Sequence, residues 1–487
     1  MKKKCVLRII DRVNCKFEGV DAFTRRKLVE ALKFFNPNAR HTPSFRLGRW
    51  DGKVPFATVG GGTYINLLDR ALPIIFGEGY DVEVVDDTPE VSFTFPEVNE
   101  DFLADRCWPD GHPLAGEPIM LRDYQVEAIQ RYLSNPRSLQ SISTGAGKTI
   151  LTAALSKLCE PYGRTIIIVP NKSLVEQTEE DFRNVGLDVG VFYGDRKEWG
   201  HKHTICTWQS LAIFAKKTRQ GDVEITIDEF LKGVIGVFVD EAHSAKADLL
   251  KDLLAGPFAT LPICWGMTGT IPKHDFEFMT LLSTIGPVVG EIKAVTLQER
   301  GVLAKCHVSV LQLDDDHVAF DAYHDEVRYT TADPERLEWI AQKCLEISEG
   351  GNTLILVERI PCGETLQALI PGSVFINGTV KSKDRKKEYK AVAKADDKII
   401  IATYGVAAVG INIPRIFNLV LIEAGKSFVR VIQSIGRGIR VAEDKDYVDV
   451  YDLCSSLKFS NKHLGERKKL YKEAQYPYSV KKVTYRQ

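Results

Sequence analysis

The stretch Ser141-Ile-Ser-Thr-Gly-Ala-Gly-Lys-Thr149 constrains this chain more than any other. Small residues run into Gly147-Lys148-Thr149, and a mostly apolar run follows from Ile150 to Leu158. Glycines let a backbone wrap an anion and turn several N–H groups inward. A helix starting near Lys148 adds the positive end of its dipole. In such a loop Thr144, Gly145, Ala146 and Gly147 would cradle phosphates. Lys148 would reach the β/γ-phosphates of a nucleotide, and the Thr149 hydroxyl would hold Mg2+. The consensus G-x-x-x-x-G-K-S/T asks for glycine where this chain has Ile142. A glycine-rich turn ahead of a core helix is the competing reading, so the loop needs partners elsewhere.

Three further stretches offer them. Val237-Phe-Val-Asp-Glu-Ala-His243 reads as an apolar strand ending in two carboxylates, where α/β sheets bind ligands. Asp240 would hold the water shell of a Mg2+, opposite Thr149. Glu241 would orient or deprotonate an attacking water. Gln433-Ser-Ile-Gly-Arg-Gly-Ile-Arg440 places Arg437 and Arg440 three apart, on one helix face. Inserted guanidiniums stabilise the charge that develops on a γ-phosphate, although a basic surface helix fits the same letters. Leu121-Arg-Asp-Tyr-Gln125 precedes the loop, and the Gln125 amide can pair with adenine at N6 and N7, selecting ATP over GTP. An exposed Gln at a helix start is the plainer alternative.

The 487 residues allow several domains. The hydrophobic fraction of 44% and charged fraction of 26% fit an ordinary globular protein. No apolar run reaches the roughly 20 residues that span a bilayer, and no signal-peptide core follows the basic start. Ten scattered cysteines without a C-x-x-C pair argue for a reducing compartment, so a cytoplasmic protein is expected. The net charge of −1 hides a segregation. Residues 1–55 carry 14 Lys and Arg against 5 Asp and Glu, residues 56–120 carry 2 against 13, and residues 456–487 carry 9 against 2. Basic ends on a near-neutral chain point to a polyanion, or to plain solvated surface.

Residues 1–88 read as a small α/β domain, with a strand at Val6–Ile10 and a helix over Asp21–Phe35. In Phe45-Arg-Leu-Gly-Arg-Trp-Asp-Gly-Lys53, the cations Arg46, Arg49 and Lys53 surround Trp50 between two glycines. That composition suits a phosphate backbone and a stacked base, or a hairpin turn with Trp50 in a small core. Residues 89–118 are acidic and contain five prolines, the marks of a linker. From 119 onward short apolar runs alternate with helical segments, which predicts two successive parallel-sheet units, 119–290 and 291–455, and then a basic tail, 456–487. Strands are expected at Leu139–Ser143, Thr165–Val169, Thr204–Thr207, Gly236–Asp240 and Cys264–Thr268. A second set is expected at Thr353–Val357, Ser373–Ile376, Lys398–Thr403, Leu419–Glu423 and Asp449–Asp452. Asp314–Thr331 reads as a surface loop that could carry a strand-separating wedge, and the tail as a duplex grip or a flexible end packed on the core.

The order of motifs resembles the superfamily 2 helicases. It runs LRDYQ, STGAGKT, Ile168-Val-Pro170 to Gln177, Thr207-Trp-Gln-Ser210, Asp240-Glu-Ala-His243, Thr268-Gly-Thr270, Thr353–Val357, Ala402-Thr-Tyr404, Gly410-Ile-Asn-Ile-Pro414 and QSIGRGIR. The resemblance implies two tandem RecA-like domains, ATP and Mg2+ as cofactors, and a nucleotide gripped between the two halves. It implies Arg122 and Gln125 at the base, and Gly410 and Asn412 at the ribose. Asn412 stands where the family has an acid, and a neutral amide still accepts a hydroxyl hydrogen bond. Lys148, Asp240, Glu241, Gln433, Arg437 and Arg440 would carry hydrolysis. Pro170, Asn171, Gln177, Thr207, Trp208, Gln209, Gly378, Lys383, Arg385 and Thr403 would touch nucleic acid. Within the superfamily the front domain and the Ala402–Gly410 wording are most similar to phage UvsW-type helicases, with XPB repair helicases the nearest alternative. That resemblance implies a motor, working as a monomer in the host bacterial cytoplasm, on branched or partly single-stranded DNA without sequence preference. A DEAH-type RNA helicase, the motor subunit of a restriction system and a non-hydrolysing ATP switch are the competing functions.

Overall fold

The computed structural model describes residues 3–109, 114–221, 225–244, 247–378, 395, 397–410, 415–425 and 447–486. The chain divides into two compact units. One is Met1–Ile142 with Gly147–Glu291, the other Ser143–Ala146 with Ile292–Gln487.

The first unit opens with β1 (Lys3–Ile9), β2 (Asn14–Glu18), β3 (Lys33–Phe35), β4 (Lys53–Pro55), β5 (Gly62–Tyr64) and β6 (Tyr80–Asp86). Four of these form a sheet in the order β5-β2-β1-β6, while β3 and β4 pair as a separate antiparallel ribbon. The helix expected over Asp21–Phe35 is shorter. It is capped by the Asp21 carboxylate, which accepts from the Thr24 amide at 2.8 Å, and ends at Ala31. Phe34 and Phe35 leave it for β3, where their rings meet Phe56 at 5.4 Å and Phe45 at 5.9 Å. Aromatic side chains lose rotamer freedom in a helix and pack well on a pleated ribbon.

This front sheet does not close a core alone. Phe17, Leu28, Phe56, Leu67 and Ile75 share one cluster with Phe276 and Met279 of the helix Asp275–Thr284. The stretch expected as a linker is packed down over residues 89–109. Phe93 and Phe95 flank the Tyr162 ring at 5.2 and 5.3 Å, Leu103 is fully buried, and Lys157 holds Asp105 at 2.8 Å.

The large sheet of the first unit contains β7 (Arg137–Ile142), β8 (Arg164–Val169), β9 (Val189–Tyr193), β10 (Arg196–Lys197), β11 (His203–Thr207), β12 (Val234–Val239), β13 (Ile263–Thr268) and β14 (Val288–Ile292). Its order is β10-β9-β11-β8-β12-β13-β7-β14. The pairs from β9 to β7 are parallel, and β12 and β13 are almost wholly buried, as expected when helices cover both faces. The second unit contains β15 (Lys305–Leu313), β16 (Thr353–Val357), β17 (Val374–Ile376), β18 (Ile399–Thr403), β19 (Asn418–Ile422), β20 (Tyr447–Ser455) and β21 (Tyr478–Val483). They form an all-parallel sheet, β17-β18-β16-β19-β20-β15-β21. Set aside β10, β14 and β21, and both sheets follow one order by chain position: third, fourth, second, fifth, sixth, first. The fold is two tandem RecA-like α/β sheets behind a smaller mixed sheet.

Two expectations about the second unit are corrected. The tail is packed on the core, as one of its two readings has it, but as a helix and a strand and not as a flexible end. Lys458–Glu473 is a helix whose buried Arg467 makes two hydrogen bonds to Asp452, at 2.8 and 2.9 Å, and β21 extends the sheet beside β15. Asp314–Thr331 is not a plain loop either. It runs into the helix Tyr323–Ala332, and the Tyr329 hydroxyl reaches the buried Asp315 carboxylate at 3.3 Å.

Candidate nucleotide site and nucleic-acid edge

The loop 143–147 joins β7 to the helix Lys148–Cys159. Gly145 and Gly147 have φ of +87° and +80°, where only glycine is unstrained. Ile142, the residue in place of the consensus glycine, is the last of β7 and lies in the core. It is therefore a strand terminus outside the turn, which explains why a bulky residue is tolerated there. A Cβ at Gly147 would come within 2.5 Å of Gln125 Nε2. The Gln125 amide in turn donates to the Gly147 carbonyl at 3.3 Å and accepts from the Arg122 amide at 2.9 Å. The stretch around Gln125 thus braces the Gly145–Gly147 turn from the start of the helix Asp123–Leu133, a link that spacing alone did not reveal.

Lys148 points across the carboxyl edge of the sheet. Its Nζ lies 2.6 Å from Glu241 Oε1, with only 11% and 14% of the two side chains exposed. Asp240 and Glu241 follow the end of β12. The Asp240 amide donates to Ile168 of β8 at 2.9 Å, and the Asp240 carboxylate accepts from the Glu241 amide at 2.8 Å. Glu241 sits at φ +48°, a conformation costly for a residue with a Cβ and typical of functional corners. Beyond it, His243 Nδ1 lies 3.5 Å from Glu241 Oε2 and hydrogen-bonds the Thr268 hydroxyl. Thr268 gives its one proton to the Thr270 carbonyl at 2.8 Å, so the proton between His243 and Thr268 belongs to Nδ1. Burial holds the His243 pKa below its ordinary value, with Glu241 pulling the other way. Three motifs separated by up to 120 residues therefore form one chain of contacts: Lys148, Glu241, His243, Thr268, Thr270. Thr149 lies half-buried one residue into the helix.

Along the same edge, Pro170 and Asn171 follow β8, and Trp208 and Gln209 follow β11. Val169 and Thr207 are direct partners in the two neighbouring parallel strands, so these turns lie side by side. Asn171 and Thr207 spend their side-chain oxygens as helix caps, on the Leu174 and Ser210 amides. Gln177 is half-buried on the first of those helices and Gln209 is exposed. Trp208 departs from expectation. It is 2% exposed and part of the large-sheet core, so its side chain has no surface to offer a strand.

The Type III restriction enzyme res subunit family matches residues 118–273, and the helicase conserved C-terminal domain family matches residues 335–442. The two matches fall on the two parallel sheets in the order the motifs require. This chain is a superfamily 2 helicase. It is 23% identical over 486 residues to the ATP-dependent DNA helicase uvsW of Enterobacteria phage T4, covering 94% of this chain and 91% of that one. It is 24% identical over 382 residues to the DNA 3'-5' helicase XPB of Kineococcus radiotolerans, covering 75% and 65%. The fold matches the ATP-dependent Type ISP restriction-modification enzyme LlaBIII bound to DNA with a TM-score of 0.57 at 15% identity, over 76% of this chain and 32% of that one.

In the helicase's second sheet Gly378 is exposed just past β17, and Thr403 is half-buried at the end of β18. The pairing of Ile376 with Ala402 puts both at one edge. Gly410 ends the helix Tyr404–Gly410. Lys383, Arg385, Asn412, Gln433, Arg437 and Arg440 lie outside the described residues. The second sheet also carries a counterpart of the Glu241 corner. Glu423 follows the fifth strand of its sheet, as Glu241 does, and has φ +44°. Its carboxylate accepts from Arg336 at 2.7 Å and from the Ser460 hydroxyl at 2.6 Å.

In the front sheet Arg46 and Arg49 are exposed, and Lys53 is exposed at the start of β4. Trp50 is half-buried, and its indole N–H donates to the Lys53 carbonyl at 2.8 Å. Of the two readings of this stretch, the packed turn describes Trp50 and the open cationic surface describes its neighbours.

Proposed function

We propose that this helicase hydrolyses ATP to move along DNA and acts on branched or partly single-stranded substrates such as forks and four-way junctions. The observation that carries the reading is the buried Lys148–Glu241 pair at the carboxyl edge, beside Asp240. A cation and two carboxylates converging next to a glycine turn form a donor set suited to a nucleotide phosphate with Mg2+. Mg2+ would neutralise phosphate charge there, held by Thr149 and Asp240. Lys148 would leave Glu241 to bind the β/γ-phosphates, and Glu241 would then orient and deprotonate water. Arg437 and Arg440 would stabilise transferred charge, with Gln433 beside them, Arg122 and Gln125 at the base, and Gly410 and Asn412 at the ribose. Asn171, Gln177, Gln209, Gly378, Lys383, Arg385 and Thr403 would grip phosphates, making binding sequence-independent and salt-sensitive. The extended likeness to the phage T4 DNA helicase supports a DNA substrate and a similar cellular setting.

The deciding experiment compares ATP hydrolysis and unwinding on tailed duplexes of both polarities, a fork, a four-way junction and RNA. Stimulation by forked DNA is expected. Stronger stimulation by RNA would overturn the DNA assignment. A restriction motor is a second reading, favoured by the restriction-subunit match over residues 118–273. Nicking of a plasmid by the chain alone with Mg2+ and ATP would support it, and intact plasmid is expected.

A further inference from the structure

Residues 36–52 form an arm that leaves the β3–β4 ribbon and returns to it. The arm is closed at its neck, where the Asn36 amide donates to the Gly52 carbonyl at 2.8 Å. Gly52 has φ +78°, and a Cβ there would lie 2.5 Å from the Phe35 ring and 2.9 Å from the Phe45 ring. Within the arm, a short 3-10 helix and a single α-turn, Pro43–Arg46, are each started by a proline. The Thr42 hydroxyl donates to Ala39 at 2.7 Å, and the Arg46 guanidinium to the Arg40 carbonyl at 3.2 Å. The Leu47, Gly48 and Arg49 amides bond back to Pro43, Phe45 and Ser44 at 2.9 to 3.0 Å. The tip is thus rigid, and at it Leu47 is 65% exposed. Gly48, at φ +66°, has nothing within 4 Å of a built Cβ.

What distinguishes Leu47 from the other exposed apolar side chains, such as Phe23 and Val59, is its place on a braced tip among cations. Arg46 and Arg49 flank it, with Arg40 and Lys53 nearby in the same arm. Among the described residues none of these four cations forms a salt bridge with a carboxylate of the chain. A leucine framed by uncompensated cations matches a duplex end, where phosphates surround a stacked apolar face. The mount is equally specific. Phe56, next to the ribbon, packs on Phe276 at 6.0 Å, in the helix that follows Thr268–Thr270. The tip is therefore carried by the sheet that holds the nucleotide loop.

We propose that Leu47 is the strand-separating pin of this helicase, inserting at the last base pair of a DNA branch while Arg46 and Arg49 hold the phosphates on either side. The proposal rests on the DNA-motor reading above. It assigns the apolar contact to Leu47, with Trp50 serving to brace the turn.

The test uses the full chain and a forked duplex with 2-aminopurine at the first paired position. Wild type is expected to raise the fluorescence on binding without ATP, and Leu47→Ala to lose that rise. Leu47→Ala should slow unwinding at least about tenfold while single-strand-stimulated ATP hydrolysis stays within about twofold, and Leu47→Met should keep both activities. Unwinding by Leu47→Ala at the wild-type rate, or hydrolysis falling in parallel with unwinding, would overturn the pin while leaving the motor intact. A wild type whose hydrolysis does not respond to DNA would overturn the motor reading, and the pin with it.

Discussion

The Lys251 ammonium lies 3.4 Å from the centroid of the Phe56 ring and 5.6 Å from that of Phe276. Lys251 belongs to the helix Ala247–Leu254, which follows the Asp240–His243 motif, and Phe276 to the helix that follows Thr268–Thr270. The front sheet is therefore seated on both helices that continue from the carboxyl edge of the large sheet. Asn14 and Arg12 add bonds to the Ala255 and Ala259 carbonyls, at 3.0 and 3.1 Å.

That seat carries a pH signature. Burial lowers the Lys251 pKa to about 8, below its ordinary value of 10.5, with Asp248 opposing the shift. Between those two values the unfolded chain binds more protons than the folded one, so stability gains from this group as pH rises from about 8. Below pH 8 both states are protonated and the cost is constant. Lys251→Met removes the cost, so its advantage in thermal midpoint over wild type should be largest near pH 7 and shrink toward pH 10. A constant difference across that range would contradict the assignment. Phe276→Ala, which opens the shared core, should destabilise the first unit by about 3–5 kcal/mol.

Glu241→Gln keeps the shape of the strand-end corner and removes the carboxylate proposed as the base. Nucleotide binding should survive, while hydrolysis should fall by about 10²–10⁴-fold in single-turnover assays. A variant as fast as wild type would mean that another group handles the water.

The Gln125–Gly147 contact predicts a paired outcome. Gly147→Ala forces a Cβ toward Gln125 Nε2 at a left-handed backbone, costing about 1–2 kcal/mol and weakening nucleotide affinity. Adding Gln125→Ala removes the clash but not the backbone strain. The double variant should therefore recover part of the lost stability, read as the thermal midpoint without nucleotide, while nucleotide affinity stays low because the base contact proposed for Gln125 is gone.

In the second unit, Arg467→Ala would leave Asp452 buried without its guanidinium, a change costing about 3–5 kcal/mol. Hydrogen exchange should accelerate first in β20 and β21. Deleting residues 456–487 should prevent the second unit from folding, seen as complete digestion of that unit by a low dose of protease.

Much of this architecture was legible in the sequence. The buried parallel strands are continuous apolar runs, so Thr353–Val357 was placed to the residue and most others within two. Strands with alternating or mixed faces, such as β15 and β21, gave no such signal. Lys458–Arg486 looked like a tail because its charges are mostly solvent-facing, while the buried Arg467 and the pairing of β21 with β15 tie it to the sheet. Lys148, Asp240 and Glu241 stand out in the sequence because a phosphate site would demand those residue types after strands, and the structure brings Lys148 and Glu241 together. Trp208 was misread because its motif neighbours, Thr207 and Gln209, do lie at the edge, and nothing in one-dimensional spacing says that the residue between them turns inward. Gln125's grip on Gly147 depends on a side-chain direction that no spacing encodes.

The left-handed corner occurs twice, once at each fifth strand, and the two copies are not equivalent. Glu241 faces the ammonium of Lys148, a flexible side chain at the edge of its sheet. Glu423 is held by two donors at once, the buried Arg336 guanidinium and the Ser460 hydroxyl. The repeated corner thus carries two different pairings: an ammonium at the carboxyl edge of one sheet, and a fully buried guanidinium in the other.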